Sequence, residues 1–213
     1  MRFEALIFDV DGTVADTLPV CVKAFQVAVK AHEGRDIGVE EIEAQFGPSE
    51  EGMLQQLAPS APKKALATYL REYEQAHQSC TSAFPGITQL LDAAKQRGCR
   101  LGVVTGKGPV SAKITCDVLG LSRYFESVEA GSPDGSIKVQ SIAKLLALWG
   151  LVPSKVAYIG DAPSDIDAAR SAGVASIAAC WAPGADRLSL AEKSPDALFD
   201  EVRGLQAWLL GSE

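Results

Sequence analysis

Residues 3–17 read FEALIFDVDGTVADT. A run of apolar residues ends on Asp9 and Asp11, and Gly12 follows directly. Because side chains alternate along a strand, the two carboxylates project to the same side. A buried carboxylate is costly unless a cation or hydrogen bonds satisfy it. The stretch therefore predicts a buried strand whose end carries a functional site.

Three further apolar runs have the same form. They read RLGVVTG from residue 100, KVAYIGD from residue 155 and ASIAACW from residue 175. Continuous runs of this kind are typical of parallel strands that are buried on both faces. Segments with helical periodicity lie between them, such as GITQLLDAAKQRG at residues 86–98. The alternation predicts an α/β fold with a doubly wound parallel sheet.

The region from residue 16 to residue 81 differs, because it has no strand pattern. Its three helix-like segments read PVCVKAFQVAVKAH, SEEGMLQQLA and APKKALATYLREYEQAHQS. We predict that residues 16–81 form a smaller all-helical cap, and that residues 1–15 and 82–213 form a discontinuous catalytic core. Ser49 followed by two glutamates is typical of a helix start, so a structural role is favoured there over substrate selection.

Composition excludes several classes of protein. The net charge of −7 gives no basic face for nucleic-acid phosphates, so no nucleic-acid partner is expected. No apolar stretch approaches the roughly 18 residues of a membrane span, and no signal peptide is expected before Phe3, so we expect no membrane partner and a cytoplasmic location. Five cysteines without a CxxC pair predict small buried thiols rather than disulfides or a zinc site.

Polar residues also follow the strands predicted at residues 100–104 and 155–160, which are the second and third along the chain, at the carboxyl ends where ligands bind in open α/β sheets. Thr105 and Gly106 follow the second run, Asp161 follows the third with Asp165 four residues on, and Lys138 lies near the start of the intervening helix. Each residue alone has a structural explanation, such as a favourable interaction with a helix dipole. Several gathered carboxylates, however, need a strong positive charge, and Mg²⁺ meets that need with carboxylates, waters and a substrate phosphate.

The glycines at residues 106–108 invite a different interpretation, that of a phosphate-binding P-loop. That loop requires GxxxxGK followed by Ser or Thr, and the sequence here reads GVVTGKG. A P-loop is therefore rejected, and no role is assigned to Lys107 from sequence.

In their order along the chain, these residues resemble the four motifs of the haloacid dehalogenase superfamily. DVDGTVADT is similar to its DxDGT motif, and VVTG, Lys138 and GDAPSD are similar to its second, third and fourth motifs. The resemblance runs from Phe3 to about Trp181, and the helical insertion after the first motif resembles the family's helical cap. Within the superfamily, the chain looks most like the phosphoglycolate phosphatases.

The resemblance implies a role for each acidic residue. Asp9 would be the nucleophile that forms an aspartyl phosphate, and Asp11 would be the general acid and then the general base. Asp9, the backbone carbonyl of Asp11 and Asp161 would hold Mg²⁺. Asp165 would bind the ion directly or through water.

The remaining motif residues would hold the phosphoryl group. Thr105 and the backbone amide of Gly106 would bind its oxygens, and Lys138 would neutralise the charge between nucleophile and phosphate. The family often has Asn at the position of Gly106 and proline at that of Val139, so this sequence lacks one possible substrate contact.

The implied activity is a Mg²⁺-dependent phosphatase that hydrolyses small phosphorylated metabolites of the phosphoglycolate or sugar-phosphate type. The dehalogenases and the phosphonate-cleaving branch of the superfamily lack an acid at the position of Asp11. A phosphomutase of the β-phosphoglucomutase type stays open as an alternative, since it would use the same nucleophile and depend on a bisphosphate. A receiver-type phosphorylation switch is disfavoured, because its aspartate would follow the third strand. Oligomeric state is not indicated.

Overall fold

Six parallel strands form the sheet in the computed structural model, which describes residues 1–211. The strands are β1 (Ala5–Phe8), β2 (Arg100–Val104), β3 (Ser127–Glu129), β4 (Val156–Gly160), β5 (Ala175–Ala179) and β6 (Ala197–Phe199). Their order across the sheet is β3-β2-β1-β4-β5-β6. The predicted doubly wound parallel sheet is confirmed.

Strand β1 lies in the middle of the sheet, and its register fixes the site. Phe8, its last residue, is paired with Val103 of β2 on one side and with Ile159 of β4 on the other. The residues that follow these three strands therefore emerge next to one another. The strand order reverses at this point, which is where open α/β sheets bind ligands.

Ten α-helices occur within the described residues. They are α1 (Leu18–Glu33), α2 (Val39–Glu43), α3 (Glu50–Leu57), α4 (Pro62–Ala76), α5 (Ile87–Gln96), α6 (Pro109–Val118), α7 (Lys138–Trp149), α8 (Pro163–Ala172), α9 (Arg187–Glu192) and α10 (Val202–Leu210). Short 3₁₀ turns cover His77–Ser79 and Pro153–Lys155.

Alternate residues of β1 are buried under different helices. Leu6 and Phe8 pack in one apolar cluster with α5 and α10, whereas Ala5 and Ile7 pack in another with α7 and α8. Both faces of the sheet are thus covered, which explains why the strands are continuously apolar.

Helices α1–α4 form an all-helical cap with an apolar cluster of its own. Phe25 and Tyr69 lie at its centre with ring centroids 4.5 Å apart, and Tyr73 stacks on Tyr69 at 5.7 Å. Where the chain returns to the sheet, the backbone N–H of Phe84 donates to the carbonyl of Val14 at 2.9 Å. The two crossings between sheet and cap are therefore neighbours.

Two strands have no counterpart among the four predicted from sequence. Strands β3 and β6 have three residues each and are partly exposed, so neither contains a long apolar run.

The five cysteines are free thiols, as predicted, but Cys80 and Cys180 are only half-buried, so the prediction of burial is wrong for these two. Throughout residues 1–211, no helix has the length and hydropathy needed to cross a membrane.

Candidate active site

A cavity of about 430 Å³ lies between the cap and the carboxyl ends of β1, β2 and β4. Six of the seven residues predicted for the site line it; these are Asp9, Asp11, Thr105, Gly106, Lys138 and Asp161. Asp165, the seventh, is fully buried beneath Lys138. Four stretches that are distant in sequence are thus brought together, because they follow neighbouring parallel strands or begin the helix between them.

Three carboxylates lie close together at the strand ends beside the cavity. Asp9, Asp161 and Asp165 each offer an oxygen within 4.8 Å of the others. Lys138 Nζ lies 2.6 Å from Asp165 Oδ1 and 3.4 Å from Asp9 Oδ1. One lysine therefore faces three acidic side chains.

The charge of this cluster is not balanced by protein groups. Burial raises the pKa of Asp9 to about 7, although Lys138 opposes the shift. Burial, with repulsion from Asp9 and Asp165, raises the pKa of Asp161 well above its ordinary value. Among the described residues, Asp9 Oδ1 is buried and makes no hydrogen bond. A buried oxygen that accepts no hydrogen bond, among three crowded carboxylates that share one lysine, fits a hard divalent cation such as Mg²⁺.

Asp165 has protein partners on both carboxylate oxygens. Oδ1 accepts from Lys138 and from the hydroxyl of Tyr158 at 3.0 Å, and Oδ2 accepts from the backbone N–H of Ala162 at 3.1 Å. Asp165 also lies in the first turn of α8, which the sequence pattern of a helix start predicts. Its geometry suits fixing Lys138 in place.

Gly12 lets the chain turn beside the acidic cluster. Its φ is +70°, and a Cβ built on it would overlap the carboxylate of Asp161. Thr13 donates to that carboxylate at 3.1 Å, and the indole of Trp181 donates to the Thr13 carbonyl at 2.8 Å. The turn after β1 thus positions Asp161 as well as the two aspartates of its own motif.

We expect Gly12→Ala to destabilise the protein more than a matched change at Gly98. Gly98 has the same backbone conformation, with a φ of +71°, but open space where a Cβ would lie. Gly98→Ala should cost about 1–2 kcal/mol for the left-handed backbone alone. Gly12→Ala should cost at least about 1 kcal/mol more, because Asp161 must move. Urea unfolding measures both, and equal losses would contradict the close approach of Gly12 to Asp161.

Lys107 is the main residue that the sequence did not reveal. It directly follows Thr105 and Gly106, and only 3% of it is exposed. Its Nζ donates to Asp11 Oδ1 at 3.0 Å and to Asp11 Oδ2 at 3.3 Å, and it lies 4.5 Å from the ring centre of Tyr73. Burial alone would lower the pKa of Lys107, but Asp11 and its other neighbours raise it well above the ordinary value. Lys107 is therefore a buried cation that fixes the Asp11 carboxylate.

The SEE stretch begins a helix, as predicted, but Glu50 makes contacts beyond that helix. Ser49 precedes α3, but its hydroxyl donates to Glu51 at 2.5 Å and does not cap the helix. Glu50 is buried instead and crosses to the core, where it accepts from the backbone N–H of Gly108 and, at 2.5 Å, from the hydroxyl of Ser111. The stretch therefore links the cap to the start of α6.

Thr17 also contacts the site rather than capping its own helix. It precedes α1 at the N-cap position, yet its side chain makes no capping hydrogen bond. The Thr17 hydroxyl donates to Asp11 Oδ1, the oxygen that Lys107 also contacts. A threonine two residues before Pro19 fits an ordinary helix start, so its residue type alone did not reveal this contact.

The fold and this arrangement of motifs define an enzyme class. The chain belongs to the haloacid dehalogenase-like hydrolases, whose family model matches residues 6–179. The resemblance stated from the four motifs is thereby confirmed.

Individual relatives give a narrower description. The chain is 31% identical over 208 residues to a protein named as pyrophosphatase PpaX from Caldanaerobacter subterraneus subsp. tengcongensis, covering 95% of this chain and 92% of that protein. It is 30% identical over 204 residues to a phosphoglycolate phosphatase of Synechococcus elongatus, covering 92% of each. A haloacid dehalogenase-like family hydrolase from Streptococcus pneumoniae has the same fold, with a TM-score of 0.78, 24% identity and coverage of 98% and 99%. The prediction of an enzyme among the phosphatases of this family is confirmed.

Proposed function

We propose that this protein is a Mg²⁺-dependent phosphatase that hydrolyses small phosphorylated metabolites, of the phosphoglycolate or sugar-phosphate type, through an aspartyl phosphate. The observation that carries the proposal is the buried oxygen of Asp9 that accepts no hydrogen bond from the described residues, in a cavity that Lys138, Asp161 and Thr105 also line. The name of the Synechococcus relative supports hydrolysis of a small phosphorylated metabolite.

The residues present fit a magnesium ion. Asp9 and Asp161, with the backbone carbonyl of Asp11, would hold it, and Asp165 would act through water because both of its oxygens have protein partners. When bound, the ion would supply positive charge that offsets the repulsion between the nucleophile and the phosphate.

Asp9 acts as the nucleophile, and Asp11 transfers the protons. An oxygen of Asp9 attacks phosphorus, the bond from phosphorus to the ester oxygen breaks, and Asp11 donates a proton to the departing oxygen. Asp11 then takes a proton from a water molecule that attacks the aspartyl phosphate, which releases phosphate and restores Asp9. Lys107 and Thr17 hold the Asp11 carboxylate in one orientation for both transfers.

Other residues of the chain hold the phosphoryl group and exclude water. Thr105, the amide of Gly106 and Lys138 would bind its oxygens, and Asp165 keeps Lys138 in position. We assign the catalytic core to residues 1–15 and 82–213 and the cap to residues 16–81, supported by the separate apolar clusters of the two parts. A closed cap limits access of bulk water to the intermediate.

Removal of Mg²⁺ tests the proposal directly. We expect hydrolysis of p-nitrophenyl phosphate to fall at least about 100-fold in excess EDTA and to return when Mg²⁺ is restored, because the acidic cluster then lacks its counter-charge. Acid quenching during turnover, followed by mass spectrometry, should find a phosphoryl group on the peptide that contains Asp9. Undiminished activity in EDTA would exclude the metal-dependent mechanism.

The phosphomutase alternative predicts a different result with sugar phosphates. A mutase would convert a sugar monophosphate to its isomer and would depend on a catalytic amount of the bisphosphate. The phosphatase releases inorganic phosphate with no such dependence. Measuring isomer and phosphate together, with and without bisphosphate, separates the two.

A further inference from the structure

The wall of the cavity opposite the acidic cluster is mainly apolar. The cap contributes Leu18, Phe25, Phe46 and Met53 to it. Phe25 and Met53 are buried, while Phe46 is about half exposed at the mouth. This wall faces the part of a phosphate ester that leaves, since the phosphoryl group lies at the strand ends.

No cation on this wall is free to meet a second negative charge. In the part of the chain that the structure describes, the only cationic side chains lining the cavity are Lys107 and Lys138. Lys107 is committed to Asp11 and lies 3.9 Å from Glu50, and Lys138 is committed to Asp165 and Asp9. Both lysines therefore serve the chemistry and not the leaving group.

The charged groups left on this side are negative. Glu50 lines the cavity from the cap, and Asp186 lines it from the core, where it is exposed. The thiol of Cys21 adds no positive charge, and burial raises its pKa to about 12. A carboxylate or second phosphate on the leaving group would meet apolar side chains, the hydroxyls of Ser136 and Ser164 and two hydrogen-bonded acids, but no free cation among the described residues, which opposes its binding.

We infer that the enzyme acts on phosphate monoesters whose leaving group is uncharged, and that it discriminates against esters with a second anionic group. The inference rests on the proposed function and narrows it. Sugar phosphates and small alkyl or aryl esters belong to the accepted class, whereas phosphoglycolate and pyrophosphate belong to the rejected one. The cavity volume limits the accepted esters to small molecules.

A matched pair of esters tests the inference. Phosphoglycolate and ethylene glycol monophosphate have nearly the same size, but only the first carries a carboxylate. With Mg²⁺ present, we expect kcat/KM to be about 100-fold higher for the uncharged ester. Equal values, or a preference for phosphoglycolate, would overturn the inference.

A variant at the mouth of the cavity tests whether the absence of a free cation causes the preference. Phe46→Lys adds the missing cation at a half-exposed position, where folding should tolerate it. It should raise kcat/KM for phosphoglycolate and so reduce the preference for the uncharged ester at least about 10-fold, while Phe46→Gln should leave that preference unchanged. An unchanged preference in Phe46→Lys would show that charge on this wall does not set selectivity.

Hydrolysis of p-nitrophenyl phosphate separates failure of the inference from failure of the proposed function. If that ester is hydrolysed and phosphoglycolate is preferred over its uncharged analogue, only the inference fails. If no ester is hydrolysed with Mg²⁺ present, the proposed function and the inference fail together.

Discussion

Asp9→Asn is expected to hydrolyse p-nitrophenyl phosphate at least about 1,000-fold more slowly than the wild type. An amide oxygen is a poor nucleophile, and the change also removes one charge from the proposed metal site. The two side chains have nearly the same shape, so the cavity should stay intact. Steady-state kinetics at saturating Mg²⁺ measure the loss.

The same substitution should not weaken the fold. Asp9 is buried, and its repulsion with Asp161 and Asp165 opposes folding when no cation is bound. In EDTA, Asp9→Asn should therefore unfold at the same urea concentration as the wild type or a higher one. A loss of activity in a stable variant would assign the effect to chemistry.

Asp167→Asn provides a matched control. Asp167 lies two residues after Asp165, outside the acidic cluster. It pairs with Lys193 at 2.6 Å, and about half of its side chain is exposed. Its activity should stay within about twofold of the wild type. More than a tenth of wild-type activity in Asp9→Asn would exclude Asp9 as the nucleophile.

Lys107→Met is expected to damage both stability and catalysis. Removing a buried cation leaves Asp11 and Glu50 without their counter-charge, which typically costs about 3–5 kcal/mol. We expect kcat to fall about 100-fold or more, because the Asp11 carboxylate loses the group that orients it. Urea unfolding and kinetics on the soluble variant measure the two effects.

Two further variants separate these effects. Lys113→Met removes an exposed lysine from α6, the helix that begins two residues after Lys107, and should change stability by less than about 0.5 kcal/mol. The double variant Lys107→Met with Glu50→Gln should recover part of the lost stability, since it removes one of the uncompensated charges. Recovery of stability without recovery of kcat would assign the orienting role to Lys107. A Lys107→Met enzyme with wild-type kcat would exclude that role.

The sequence predicted the residues that parallel strands bring together by topology alone. Asp9, Thr105 and Asp161 each follow an apolar run, and the carboxyl ends of neighbouring parallel strands must meet. Lys138 followed from the order of the motifs. These placements need no knowledge of how helices dock.

The Glu50 and Thr17 contacts that sequence did not predict depend on where the cap docks, whereas Lys107 and Asp11 both lie in the core, after the neighbouring strands β2 and β1. Lys107 and Asp11 are 96 residues apart, and Gly108 and Glu50 are 58 apart on two different parts of the fold. Glu50 and Thr17 also occupy helix starts, where a local role explains their residue types equally well. Only the packed structure decides between the local contact and the distant one.

The paired crossings between sheet and cap have an evolutionary consequence. Phe84 and Val14 already meet through a backbone hydrogen bond, so the ends of the insertion are fixed next to each other. Lengthening such an insertion adds a closure entropy that grows only with the logarithm of its length. A helical module at this point can grow, shrink or be exchanged over generations while the nucleophile stays in place. Selectivity can therefore diverge in this lineage wherever the cap residues that contact the catalytic groups, Thr17 and Glu50, are retained.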